Sequence, residues 1–176
     1  MRGRNRARTL AVFALGALLL AGGTAYYLTA YASGTLVILV RDAPADWSRV
    51  LVTFSEVRVH RADAANESGW VNLSIREGAI DFLALGNLTK VLAMDRIPAG
   101  KYTQIRIVVA SVTGTLSGGS SVNLIVPDGI LKTEQPFELK PGGTTTITFD
   151  FDLAHSIHQA GDQWYFVPVL GSVLVR

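Results

Sequence analysis

The sequence predicts an all-β chain, an antiparallel two-sheet sandwich of the immunoglobulin or prealbumin kind, preceded by one N-terminal transmembrane or signal helix. Three observations predict it. Residues 10–32 are an apolar run without a charge, preceded by Arg2, Arg4, Arg6 and Arg8. Beyond that run, short segments alternate apolar and polar residues with the period of two that turns one strand face to a core and the other to water. Glycine, proline and small polar residues separate these segments, and few stretches carry a helical period.

The run sets the organisation: a basic cytoplasmic segment at 1–9, an anchor or signal at 10–32, and an extracytoplasmic domain at 33–176. About 23 residues at 1.5 Å each make a helix of roughly 34 Å, against a hydrocarbon core of roughly 30 Å. The arginines stay inside by the positive-inside rule, so the remainder is carried out. Tyr26, Tyr27 and Tyr31 suit the outer interface of an uncleaved anchor. Ala30 and Ala32 instead make a small-residue site for cleavage between Ala32 and Ser33, and both readings export the domain. Leu20-Ala21-Gly22-Gly23 has glycine where a lipobox needs its cysteine, which excludes a lipoprotein.

The elements follow in order. Residues 35–41 (TLVILVR) are a first strand, ended by Asp42-Ala43-Pro44. Residues 50–60 alternate, with an interruption at Ser55-Glu56 that marks a bulge. A polar turn at 61–69 leads to a short strand at 70–73, and 80–85 reads equally as strand or helical turn. Residues 87–94 place Leu88, Val91 and Leu92 at helical spacing, and a short helix or a strand fits. Residues 102–112 are the clearest strand, with Thr103, Ile105, Ile107 and Val109 facing the core and Tyr102, Gln104, Arg106 and Val108 facing out. Turns at Gly118-Gly119, Pro127-Asp128-Gly129 and Pro141-Gly142-Gly143 separate further strands. In 144–153, Ile147, Phe149, Phe151 and Leu153 face in, while Thr146, Thr148, Asp150 and Asp152 face out. A last segment, 164–175, is broken by Pro168 and Gly171.

The formal charge of +2 comes from the leading arginines. From residue 33 onward twelve Lys and Arg stand against fourteen Asp and Glu, a net of −2, and no basic cluster in the sequence argues for nucleic acid. The chain has no cysteine, so disulfides and thiolate metal sites are excluded and the domain is held by its core. Asn66, Asn72 and Asn87 each begin an N-glycosylation acceptor pattern, in keeping with a surface glycoprotein.

Several segments together carry a resemblance: Asp42-Ala43-Pro44, VTFSEVRVH at 52–60, Gly69-Trp70-Val71, IDFLAL at 80–85, PAGKYTQIRIVV at 98–109, Gly142-Gly143-Thr144-Thr145 and the DFD-to-SIH stretch at 150–158. Their order and spacing resemble the exported family catalogued as domain of unknown function 4382, found in archaea and bacteria, over 34–175. The resemblance implies a cell-surface β-sandwich, often held by a lipoprotein cysteine that this sequence lacks, and implies no established activity.

The candidate metal site is Asp150, Asp152, His155 and His158. Asp150 and Asp152 share the wet face of one strand, and the histidines follow in a turn, so two carboxylates and two imidazoles can converge on a divalent ion. The spacing matches no established ligand motif, and the plainer alternative is that the aspartates serve turn amides and the histidines pack the loop. His60 ends another strand. Asp42, Asp46 and Trp47 form a second small cluster. Trp47, Trp70 and Trp164, with Tyr165, are candidates for stacking on a sugar ring, or else fill the core and its edges. No nucleophile elbow, phosphate loop or zinc-protease motif occurs, so the expectation is a non-enzymatic protein with a binding or envelope-structural role and no cofactor beyond a divalent metal. Its expected partners are the membrane, a surface glycan or a protein. The main rival is a secreted, fibre-like subunit whose segment 33–40, freed by cleavage, completes a neighbour's sheet.

Overall fold

A computed structural model describes residues 2–42 and 47–176 of the chain. A single long helix, α1 (Arg2–Tyr31), leads directly into strand β1 (Ser33–Asp42). Ala32 alone lies between them, its amide donating to the Leu28 carbonyl at 2.9 Å and its carbonyl accepting from the Ala99 amide at 2.7 Å. Along the described middle of α1, Val12, Phe13, Leu15, Leu18, Leu19 and Leu20 are all exposed. At about 100° per residue these positions point to every side, so the helix has no dry face turned toward the domain. Among the described residues no helix is long and apolar enough to cross a membrane. One N-terminal helix is thus borne out, and a membrane-spanning one is not.

The rest is β structure in two main sheets. One has four strands in the order β13 (Leu170–Val175), β10 (Thr144–Phe151), β1, β5 (Lys90–Pro98). The other has seven, built on the long hairpin of β2 (Arg49–Arg61) and β6 (Gly100–Thr115). β3 (Trp70–Asn72) and β4 (Ala79–Asp81) add to β2, while β7 (Ser121–Leu124), β8 (Ile130–Thr133) and β9 (Phe137–Leu139) add to β6. A one-turn helix, α2 (Leu153–Ser156), precedes a two-stranded ribbon of β11 (Ile157–Ala160) and β12 (Gln163–Phe166).

The purely antiparallel expectation needs one correction, because β1 runs parallel to β10, with Thr35 opposite Thr144 and Asp42 opposite Phe151. Strand alternation specifies which face is buried, not which neighbour a strand takes or its direction. The parallel pair also places β1 in the middle of its sheet, between β10 and β5, with Leu36, Ile38 and Val40 fully buried. The segment that the fibre reading needs free is therefore a central strand of its own domain.

Both sheets contribute to one core. From the smaller sheet come Leu36, Ile38, Val40, Ile147, Phe149 and Phe151, and from the larger Val52, Phe54, Val57, Val59, Ile105 and Ile107. Phe54 meets Phe151 across the layers with ring centroids 5.9 Å apart, and Phe82 meets Phe151 at 5.0 Å. The four residues of 144–153 read as inward are all fully buried.

The interruption at Ser55 is a bulge: Phe54 pairs with Val109 and Glu56 with Val108, leaving exposed Ser55 without a partner across the ladder. It changes the phase of burial along β2 from Val50, Val52 and Phe54 to Val57 and Val59. A second irregularity corrects the reading of β6. Arg61 pairs with Tyr102 and His60 with Gln104, so Thr103 is skipped; Tyr102 is buried and Thr103 exposed, the reverse of simple alternation. The Tyr102 hydroxyl donates to the Pro98 carbonyl at 2.6 Å, and its ring stacks on Phe137 at 5.0 Å. The ambiguous 80–85 segment is both things in turn, β4 followed by a 3-10 turn at Leu83–Leu85. Residues 90–98 are strand β5 rather than helix, and Leu88, read as a helix-face residue, is 71% exposed.

Candidate functional site

The aspartates and histidines of 150–158 are held by three separate sets of contacts. Asp150 lies on the outer face of β10 opposite Arg41 of β1, and its Oδ2 accepts from the Arg41 guanidinium at 2.8 Å and from Ser172 Oγ at 3.3 Å. Asp152 follows the strand and caps α2. Its Oδ1 accepts the His155 amide at 3.1 Å, and its Oδ2 meets His155 Nδ1 at 2.7 Å. A carboxylate can only accept there, so Nδ1 carries the proton. The His155 amide, then its imidazole, holds the Asp152 carboxyl below its ordinary value of 3.8. His158 is on β11, one strand further, stacked on Tyr165 of β12 with centroids 5.6 Å apart.

The expected convergence on a metal is therefore absent. Asp150 faces an arginine, Asp152 and His155 satisfy each other, and His158 packs against a phenol. Among the described residues no group of three or more His, Asp or Glu is placed to hold a metal ion. The short α2 turn accounts for this: it starts directly after Asp152, sets His155 against that carboxylate and leads His158 away onto β11. Ser156, fully buried, completes the turn by donating to the Asp152 carbonyl at 2.6 Å and accepting from the Val169 amide at 2.9 Å.

The three tryptophans do not share a face. Trp47 and Trp164 pack edge to face on each other at 4.9 Å and lie partly buried against the core. Trp47 also lies over Gly114, where an added Cβ would come within 2.4 Å of the indole. Trp70 sits on the outer face of the larger sheet, directly opposite His60. The guanidinium carbons of Arg106 and Arg58 are 4.2 and 4.9 Å from its ring centroid, and His60 packs against it edge to face at 4.9 Å. Its π surface thus already holds two cations of this chain.

Asn72 and Asn87 are exposed, in β3 and after Gly86 respectively. The side chains of Asn66 and Asp42, and the whole of Asp46, lie outside the described residues. The cleavage candidate between Ala32 and Ser33 falls at the junction of α1 and β1, where Ser33 Oγ accepts from Arg96 Nε at 2.6 Å. Sequence reasoning missed Arg58, Arg106 and Lys132 as a group. They are far apart in sequence and meet only through register, with Arg58 opposite Arg106 and Arg106 opposite Lys132.

These features define a predominantly β protein: one domain on a shared core behind a single N-terminal helix, with its strand-end polar residues paired among themselves. The chain belongs to the family described as Domain of unknown function (DUF4382), whose model matches residues 33–168. No curated protein and no solved structure matches it.

Proposed function

We propose that this chain is a non-enzymatic cell-surface β-sandwich, tethered by its N-terminal helix and acting in binding or in envelope structure. One observation carries the reading: α1 exposes apolar side chains on all sides, including Phe13, Leu18, Leu20 and Leu28 at 66% exposure or more. A helix apolar all round needs an apolar surrounding, and a bilayer supplies it. The apolar run of the sequence extends beyond the part of α1 whose side chains are described, to roughly 34 Å of helix. The arginines at 2, 4, 6 and 8 orient it with the domain outside.

The secreted form is the second reading. Cleavage after Ala32 leaves β1 whole, so the domain keeps its central strand whether or not the helix is removed. The tethered reading is tested by adding protease to intact cells. Digestion of the domain without lysis, leaving a membrane-bound fragment that contains α1, is the expected result. A domain that is cut only after lysis refutes the external location.

A further inference from the structure

We propose that the outer face of the seven-stranded sheet binds an anionic polysaccharide along the row formed by Arg58, Arg106 and Lys132. Register makes the row. Arg58 of β2 is opposite Arg106 of β6, and Arg106 is opposite Lys132 of β8. Residues directly opposite in a sheet share a face, and neighbouring strands lie about 4.8 Å apart, so three cations cross about 10 Å of the sheet's outer face. Asn72 extends the row on β3, and Gln104 stands one position along, opposite His60.

Like charges placed directly opposite one another oppose sheet formation unless something compensates them. Little within the domain does. Glu56 forms an ion pair with Arg58 Nε at 3.0 Å, whereas Arg106 Nε is enclosed without a hydrogen-bond acceptor. Among the described residues no carboxylate is within ion-pair distance of Arg106 or Lys132. Trp70 holds both guanidiniums against its ring instead. The indole fixes where the two guanidiniums stand and leaves Arg106 without a carboxylate, which lowers the ordering cost of binding an anion there.

The row favours a polymer with spaced charges. It is a line on an open sheet face, flanked by amides that can meet hydroxyls. Duplex nucleic acid carries a charge about every 1.7 Å and would extend over a domain whose remaining surface is acidic on balance, given its net −2 from residue 33 onward. Choosing a polysaccharide rests on the surface location proposed above. The test below reads binding without reference to location, so each can fail alone.

The experiment uses the full chain in detergent, with Arg2, Arg4, Arg6 and Arg8 changed to Gln so that the N-terminal cations contribute nothing. Calorimetric titration with alginate, a polyuronate, is compared with neutral dextran, duplex DNA and inorganic phosphate. Alginate binds, dextran does not, and binding weakens with added salt. Lys132→Gln and Arg106→Gln each weaken it about tenfold, as loss of a charge-assisted hydrogen bond requires. Lys140→Gln, at an exposed turn, leaves it unchanged. If Arg106→Gln fails to fold, exposed Lys132 reads the row alone. Absence of alginate binding, equal binding by the Lys132 variant, DNA binding as tight as alginate, or full displacement of alginate by equimolar phosphate overturns the proposal.

Discussion

Deleting Ser55 should leave the domain folded, whereas deleting Thr53 should unfold it, although the two positions are nearly adjacent on one strand. Ser55 is exposed and has no partner on β6, while Phe54 and Glu56 occupy consecutive register positions opposite Val109 and Val108. Without Ser55 the inward set of Val50, Val52, Phe54, Val57 and Val59 becomes one unbroken alternation. Only the local twist of the bulge is lost, about 1 kcal/mol. For the roughly 140-residue domain, at about 2.1 cal/mol/K per residue, this lowers Tm by about 3 °C. Deleting Thr53 instead slips 50–52 by one place against Phe54. Val50 and Val52, both fully buried, turn to water, and Arg49 and Leu51 turn inward. Two valines at about 1.5–3 kcal/mol each, together with a buried guanidinium, approach the whole stability of a typical domain. Thermal and urea unfolding followed by circular dichroism separates the cases. Equal damage from both deletions, or tolerance of the Thr53 deletion, would refute the phase argument.

Three further outcomes follow from local contacts. Gly129→Ala should lower stability by about 1–3 kcal/mol in urea unfolding, since its Cβ would stand 2.2 Å from the Val109 carbonyl oxygen, while Gly118→Ala, with nothing within 4 Å, should cost far less. Tyr102→Phe should cost about 1 kcal/mol through loss of the hydrogen bond to Pro98. Burial raises the Tyr102 phenol above its ordinary 10.0, so wild-type stability falls as pH rises from that value through the folded one, a loss the Phe variant lacks when unfolding is measured across alkaline pH. The Asp152 carboxyl is held low by the His155 amide and imidazole, so its stabilisation is complete above 3.8 and lost as pH falls through the lower folded value; Asp152→Asn should flatten that acid limb, as read by urea midpoints.

The sequence made the core legible because burial follows a period of two. Ile147, Phe149, Phe151 and Leu153 could be placed inside from alternation alone, and the Ser55 bulge was visible as a break in it. Tyr102 was misread because the skipped Thr103 leaves no mark in a strand that otherwise alternates cleanly. The spacing of Leu88, Val91 and Leu92 leaves helix and strand open, and pairing with β1 decides for a strand, with a register shift opposite Ile38 and Leu39 that leaves Leu92 and Ala93 both buried. Local propensity yields to such pairing. The partners of charged residues were the least legible part. Asp150 meets Arg41 from the far end of the domain, and Arg106 meets Arg58 and Lys132, through register that no short stretch of sequence encodes.

Whether the external domain is tethered by an uncleaved helix is decided by intact mass and N-terminal sequence of the native protein from separated membrane and medium fractions. A chain in the membrane fraction that begins at Met1 or Arg2 is the expected result. A chain beginning at Ser33 in the medium would contradict the tether and establish the secreted form.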